Sequence, residues 1–255
     1  MSGNIIIVYK KVGETPLDCV NNLKKLRPEL AFLPVTYAGR LDPLAEGLLI
    51  LLAGEECLKK DEYLSLKKEY QVEVLFGFAT DTYDLMGEIT SSSKASSFDC
   101  DDNFISILEK FTGRIKQEYP PYSSRTVEGK PLFTWAREGK LSEITIPSHD
   151  VSVDKIEIVK EGDISSRELL DKIKNDISLV RGDFRQKQIL EKWYEALKDN
   201  TEENYKVVTL EITCGSGVYV RSIANSLGLE LQIPSLALSI KRTKIGEYGV
   251  GDVAV

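Results

Sequence analysis

The stretch Tyr37-Ala-Gly-Arg-Leu-Asp-Pro-Leu-Ala-Glu-Gly-Leu-Leu-Ile-Leu-Leu52 constrains this chain more than any other. Its unbroken apolar run, Leu48 to Leu52, reads as a buried strand. A tight segment punctuated by Gly39, Pro43 and Gly47 precedes it and carries Asp42. The glycines permit backbone conformations or close approaches that a side chain would block. Pro43 fixes the backbone just after the carboxylate and removes an N–H. An Asp in such a loop is held in place. From these residues alone two readings stand: a turn aspartate capping nearby backbone, or a carboxylate displayed for chemistry.

At 255 residues the chain fits one large domain or two small ones. Apolar content of 42% and charged content of 29% match soluble globular proteins. No apolar run approaches the ~20 residues of a membrane span. Ile5-Ile6-Ile7-Val8 is too short for a signal segment and lacks a basic lead-in. A cytoplasmic protein with no membrane partner is expected. Four separated cysteines form no C-x-x-C pair, and the single histidine, His149, argues against zinc-hydrolase and Ser-His-Asp chemistry. His149, in Pro-Ser-His-Asp, reads as a loop residue. The net charge of −7 counts against a nucleic-acid partner when taken alone. Clusters at Lys10-Lys11, Lys67-Lys68 and Lys241-Arg242-Thr243-Lys244 leave room for a local basic face.

Along the chain, Ile5 to Val8 reads as a short buried strand, followed by a turn and a helix with Val20, Leu23 and Leu26 at helical spacing. Lys67 to Val74 alternates, with Tyr70, Val72 and Val74 on one face. A strand tyrosine there reads as core on its bare merits. Thr80, Asp81, Thr82 and Asp84 are short side chains that bond nearby backbone and shape a loop. Ser91 to Asp102 is expected as an exposed connection, and Phe104, Ile107, Leu108 and Phe111 mark an amphipathic helix closed by Gly113. Pro120-Pro121 fixes an extended loop, and Phe133, Trp135 and Ala136 begin a helix. Val151, Val153, Ile156 and Ile158 suggest a strand. Residues 168–197 suggest one or two helices with solvated charged faces, a possible insertion within 151–206 with no chemistry assigned. Val207 to Cys214 alternates as a strand, and Gly215 to Ala224 turns into a helix.

Gly39-Arg40-Leu41-Asp42-Pro43-Leu44-Ala45-Glu46-Gly47-Leu48-Leu49 resembles the G-x-L-D-P-x-A-x-G-x-L motif of TruB-type tRNA pseudouridine synthases. Three further stretches resemble that family in order. Lys68 to Gly87 follows K-x-Y-x-x-x-x-x-x-G-x-x-T-D-T-x-D-x-x-G. Gln117 to Gly139 resembles Q-x-P-P-x-Y-S-A-x-K-x-x-G-x-x-x-Y-x-x-A-R-x-G with the basic residue shifted. Cys214 to Ala224 follows C-x-x-G-T-Y-I-R-S-L-A. Lys10, Gly13 and Thr15 match part of an opening K-P-x-G-x-T-S pattern, and Leu236 to Gly246 resembles a closing L-R-R-T strand.

The resemblance implies an α/β (α+β type) pseudouridine synthase fold: a large mixed, mainly antiparallel sheet flanked by helices, with a central catalytic cleft. It treats 1–255 as a catalytic domain without the C-terminal RNA-binding domain of the PUA type that many members carry. It implies conversion of uridine to pseudouridine at T-loop uridine 55 of tRNA, without metal or organic cofactor, by a monomer. Asp42 would be the catalytic carboxylate, Tyr70 the residue against the target base and a proton acceptor, and Arg221 the orienter of Asp42 in bidentate geometry. Tyr37, Gly39, Arg40, Lys10 and Tyr219 would contact substrate.

Two positions depart from the pattern. Tyr37 stands where the family has His, and its ring can still stack on a base. Arg40 is typical of the ribosomal-RNA branches of the superfamily, so a ribosomal-RNA synthase is one rival. A non-catalytic tRNA chaperone is another. A glycosidase would want a second placed carboxylate, and the nearby Glu46 reads as helical or exposed.

Overall fold

A computed structural model describes residues 4–94, 98–199 and 203–254. The apolar run at its start explains the architecture. Strand β1 (Ile5–Lys10) pairs antiparallel with β3 (Glu46–Ala53), and β2 (Val35–Ala38) pairs with the distal half of β3. Every residue from Leu48 to Ala53 is fully buried because both faces of β3 are covered. Leu49, Leu51 and Ala53 pack on Val20 and Leu23 of helix α1 (Pro16–Leu26); Leu48, Ile50 and Leu52 pack on Ile7 and Ile245. A strand covered on both sides has no polar face, hence no alternation. Thr15 starts α1 with a reciprocal capping box to Asp18, and Pro16 occupies its first turn.

After the short helix α2 (Lys60–Ser65) comes β4 (Lys68–Phe76), then a hairpin of β5 (Phe78–Thr80) and β6 (Ile89–Ser92). Helix α3 (Asp102–Glu109), capped by Asp101, leads into β7 (Gly113–Glu118). The two-residue strands β8 (Thr126–Val127) and β9 (Lys130–Pro131) precede α4 (Leu132–Arg137). Strand β10 (Ser148–Ser165) enters the helix pair α5 (Ser166–Leu179) and α6 (Gln186–Leu197). The chain returns through β11 (Asn204–Cys214), α7 (Val220–Leu231), β12 (Ser235–Ile245) and β13 (Tyr248–Gly249).

The central sheet runs β1-β3-β12-β4-β11-β10-β7, with β2 and β13 at its margins. Every neighbouring pair along it is antiparallel except β3 and β12. The expected mixed, mainly antiparallel sheet flanked by helices is therefore present. The parallel junction explains Gly47, at φ +114°: a Cβ there would lie 2.2 Å from the Arg242 carbonyl oxygen.

The one or two helices expected over 168–197 are two, α5 and α6, with charged residues such as Lys174, Lys187 and Glu191 exposed. Their apolar members Leu169, Ile173, Ile177, Ile189, Trp193 and Leu197 are buried with Leu75, Phe78, Leu236 and Leu238. Other expectations change. Within the supposed exposed connection at 91–102, Phe98 packs against Phe76 and Phe104, with ring centroids 4.7 and 5.8 Å away. Residues 95–97 of that connection lie outside the described residues. His149 and Glu46 are strand residues, in β10 and at the head of β3, and Glu46 is half-buried. The basic clusters do not make simple faces. Each sends one member inward, Lys10, Lys68 and Arg242 being 0%, 6% and 1% exposed.

Candidate active site

One cavity of about 870 Å³ opens where the 39–45 loop, the head of β4, the 80–86 loop, the 119–124 segment and the start of α7 converge. Asp42 lines it with a side chain 40% exposed. Its loop leaves β2 through Gly39, at φ +86°, and closes with Ala45 N donating to the Asp42 carbonyl at 3.1 Å. Gly13 N donates to the Pro43 carbonyl at 2.9 Å, tying the loop to the turn after β1.

Lys10 corrects a sequence expectation. It does not line the cavity. Its Nζ lies under the loop and donates to the carbonyls of Ala45 (2.5 Å), Pro43 (3.3 Å) and Lys11 (3.2 Å). Burial pulls its pKa down to about 8, partly opposed by Cys19, Asp42 and Glu14. In this position Lys10 braces the loop from beneath.

Arg221 is 97% removed from solvent, on the first turn of α7, and reaches Asp42 through Nε, 2.8 Å from Oδ2. Its other nitrogens turn to backbone: Nη1 donates to the Thr82 carbonyl at 2.5 Å and Nη2 to the Tyr122 carbonyl at 2.9 Å. The expected bidentate pair is thus a one-point contact, because the fork is shared among three segments. Burial works against the charge, but Asp42 and Asp84 outweigh it and the arginine pKa rises.

Tyr70 lines the cavity from β4 and is 9% exposed, its ring also belonging to the core. Burial raises its pKa, and the neighbouring Arg242 guanidinium pulls in the opposite direction. Arg242 is itself fixed by Nε to the Leu48 carbonyl (2.7 Å) and Nη1 to the Arg40 carbonyl (3.3 Å). Thr82 and the Met86 N–H donate to Asp84 Oδ1 at 2.6 and 2.9 Å, shaping the 80–86 loop as the short side chains suggested. Burial pushes the Asp84 carboxyl up to about 6, with Arg221 opposing.

Tyr37, Gly39, exposed Arg40 and Tyr219 all line the cavity. Lys60 Nζ sits 5.4 Å over the Tyr37 ring, and Gln117 holds Tyr219 by both its backbone N–H (2.8 Å) and its carbonyl (3.1 Å). The structure adds residues that sequence reading left out. His149 stacks on Tyr119 at 4.1 Å, and its Nε2 donates to the Gly217 carbonyl at 3.0 Å. Tyr122, Arg185 and Arg242 also line the cavity. Gly182-Asp183 interrupts two helical apolar patterns and so marks a connection, but no periodicity says which side chain enters a cleft. Among the described residues no cluster of His, Cys, Asp or Glu is placed to hold a metal ion.

The model of the TruB family pseudouridylate synthase (N terminal domain) matches residues 27–176. The chain belongs to the TruB family. It is 29% identical to the tRNA pseudouridine synthase B of Lactobacillus gasseri over 248 residues, covering 97% of this chain and 70% of that protein. It is 27% identical to tRNA pseudouridine synthase 4 of Schizosaccharomyces pombe over 330 residues, covering 99% and 81%. Among solved structures it resembles a chain of a Cbf5-Nop10-Gar1 complex, with TM-score 0.58, 17% identity, and coverage of 96% of this chain and 50% of that one. A chain of an H/ACA RNP bound to a substrate RNA containing 2'-deoxyuridine gives 0.53, 16%, 96% and 48%. This chain spans about half the length of those solved chains, and the likeness is one of fold. In TruB terms the matched segment holds Asp42 and Tyr70, whereas Lys10, Arg185 and Arg221 lie outside it.

Proposed function

We propose that this TruB-family chain converts uridine to pseudouridine in tRNA, at T-loop uridine 55, with Asp42 as the reacting carboxylate. The observation that carries the reading is the Asp42–Arg221 contact: a carboxylate facing the cavity, oriented at one oxygen by a buried guanidinium. The reaction breaks the N1–C1′ bond, turns the uracil and joins C5 to C1′. N1 gains a proton and C5 loses one, so no electrons enter or leave. A carboxylate supplying nucleophilic or electrostatic help, plus a proton acceptor, can carry it. Tyr70 takes the place against the base and the role of acceptor, which requires the Arg242 guanidinium to favour its phenolate against the burial that raises its pKa.

A base paired or stacked in folded RNA must leave its stack to reach Asp42. Tyr37 and Tyr219 offer rings at the cavity wall for it, and Arg40 offers a cation at the rim for phosphate. All these groups come from one chain, so the reading takes the enzyme as a monomer. It places the reaction in the cytoplasm; no helix of the described residues is long and apolar enough to cross a membrane. The test is incubation with unmodified tRNA and unmodified ribosomal RNA, followed by mapping of pseudouridine in each. Product at the T-loop supports the reading. Product confined to ribosomal RNA replaces it with the rival that Arg40 suggests.

A further inference from the structure

The α5–α6 pair reaches the cavity through its connection. Residues 180–185 bring Asp183, Phe184 and Arg185 to the cavity wall, 143 positions along the chain from Asp42 in the case of Arg185. The connection is tied to itself: Gln186 accepts from Phe184 N at 2.9 Å and donates to the carbonyls of Gly182 (2.7 Å) and Val180 (3.2 Å). Arg137 of α4 donates to the Asp183 carbonyl at 2.8 Å. Arg185 itself holds φ +65°, a conformation that a residue with a side chain adopts only where its surroundings enforce it.

Its guanidinium makes a fork to Asp81, Nη1 to Oδ2 at 2.9 Å and Nη2 to Oδ1 at 3.3 Å. Nη1 also lies 3.3 Å from Glu88 Oε1. Its centre stacks 4.5 Å over the Tyr122 ring. Asp81 Oδ1 further accepts from Glu88 N at 2.8 Å, bracing the 80–88 loop across its mouth. These groups are a fifth to a quarter exposed, sheltered enough for a forked pair to fix geometry.

We propose that Arg185 is a positioning residue for the reaction, acting through Asp81 and Tyr122 on the two carbonyls that hold Arg221. The inference rests on the function proposed above. Thr82, whose carbonyl takes Arg221 Nη1, follows Asp81 directly; Tyr122 supplies the carbonyl for Nη2 and the ring beneath Arg185. The two arginines therefore clamp the same two segments, Arg185 by their side chains and Arg221 by their backbone. A phosphate-binding role fits less well. Asp81 and Glu88 already balance Arg185 and Lys192, which pairs with Glu88 on its far oxygen.

The test compares Arg185→Ala, Asp81→Asn and their double variant with Lys192→Ala, which removes a rim ion pair and leaves the fork and the stack. Arg185→Ala is expected to lower kcat on the order of 100-fold, as a small displacement of a reacting group does, with KM within about two-fold of wild type. Asp81→Asn should act in the same direction, the double variant should lose little more than Arg185→Ala alone, and Lys192→Ala should match wild type. A raised KM at unchanged kcat, or fully additive losses, overturns the proposal. Hydrogen exchange decides it independently of turnover. In Arg185→Ala, segments 80–87 and 119–124 should exchange faster while α5 and α6 stay protected; unchanged exchange there overturns it. Should the wild-type chain leave tRNA unmodified, the proposed function falls, and the exchange result still rules on the clamp.

Discussion

Arg221 holds Asp42 by a single contact, Nε to Oδ2 at 2.8 Å, and gives its remaining nitrogens to the carbonyls of Thr82 and Tyr122. One buried side chain thereby joins segments 179, 139 and 99 residues away in the sequence. Removing it frees the carboxylate, the 80–86 loop and the 119–124 segment together.

Arg221→Lys should therefore be nearly as damaging as Arg221→Ala. An ammonium is a point charge on a flexible stem and cannot serve three fixed acceptors in one plane. Both variants should lose about 100-fold or more in turnover on tRNA. A lysine variant close to wild type would show that charge alone suffices.

Asp84 carries a prediction in pH. Its folded-state pKa, about 6, stands above the ordinary 3.8, chiefly because the carboxyl is buried. The fold thus holds this proton more tightly than the unfolded chain does. The stability it contributes is complete below about pH 4 and is lost as pH rises through about 6, a change of about 3 kcal/mol. Asp84→Asn cannot titrate. Denaturant unfolding of both proteins across this window should show the variant gaining on wild type as pH rises. A difference independent of pH would contradict the assignment.

Lys10 shifts the opposite way. With its folded pKa lowered to about 8 by burial, the fold prefers the neutral amine, so its contribution to stability rises between about pH 8 and 10.5. Lys10→Met should lack that rise, and at pH 7 it should cost about 1–3 kcal/mol, because the carbonyls that lose their donor outweigh the relief of a buried charge. Turnover should fall as the Asp42 loop loosens. RNA affinity should not, and a selective loss of affinity would return Lys10 to the substrate surface.

These residues mark where reading the sequence stops. The strand at 48–52, the alternation around Tyr70 and the strand-turn-helix bearing Arg221 depend on local pattern, and all three stand where pattern put them. Lys10, Arg242 and Arg185 do not follow local pattern. Long basic side chains are solvated by default, and each is drawn in by acceptors distant in the sequence: the Pro43 and Ala45 carbonyls, the Leu48 carbonyl, the Asp81 carboxylate. The fork of Arg221 misled for the same reason. Two of its three acceptors are backbone carbonyls, which no residue identity encodes.

Tyr37 tests the departure from histidine. Its ring lines the cavity and is half-buried. Tyr37→Phe and Tyr37→His should keep most of the turnover, because ring area is what stacking uses, while Tyr37→Ala should lose about 1–3 kcal/mol of tRNA affinity. An alanine variant equal to wild type in both affinity and turnover would remove Tyr37 from the site.

Asp42→Asn addresses the central claim, because it keeps the size of the side chain and its place in the 39–45 loop while removing the reacting oxygen's charge. The measurement is pseudouridine formation in an unmodified tRNA by wild type and variant, with tRNA binding followed in parallel. The account predicts pseudouridine at the T-loop with wild type and none with Asp42→Asn, at comparable binding. Turnover by the variant within about a thousand-fold of wild type, a barrier change under roughly 4 kcal/mol, would contradict it.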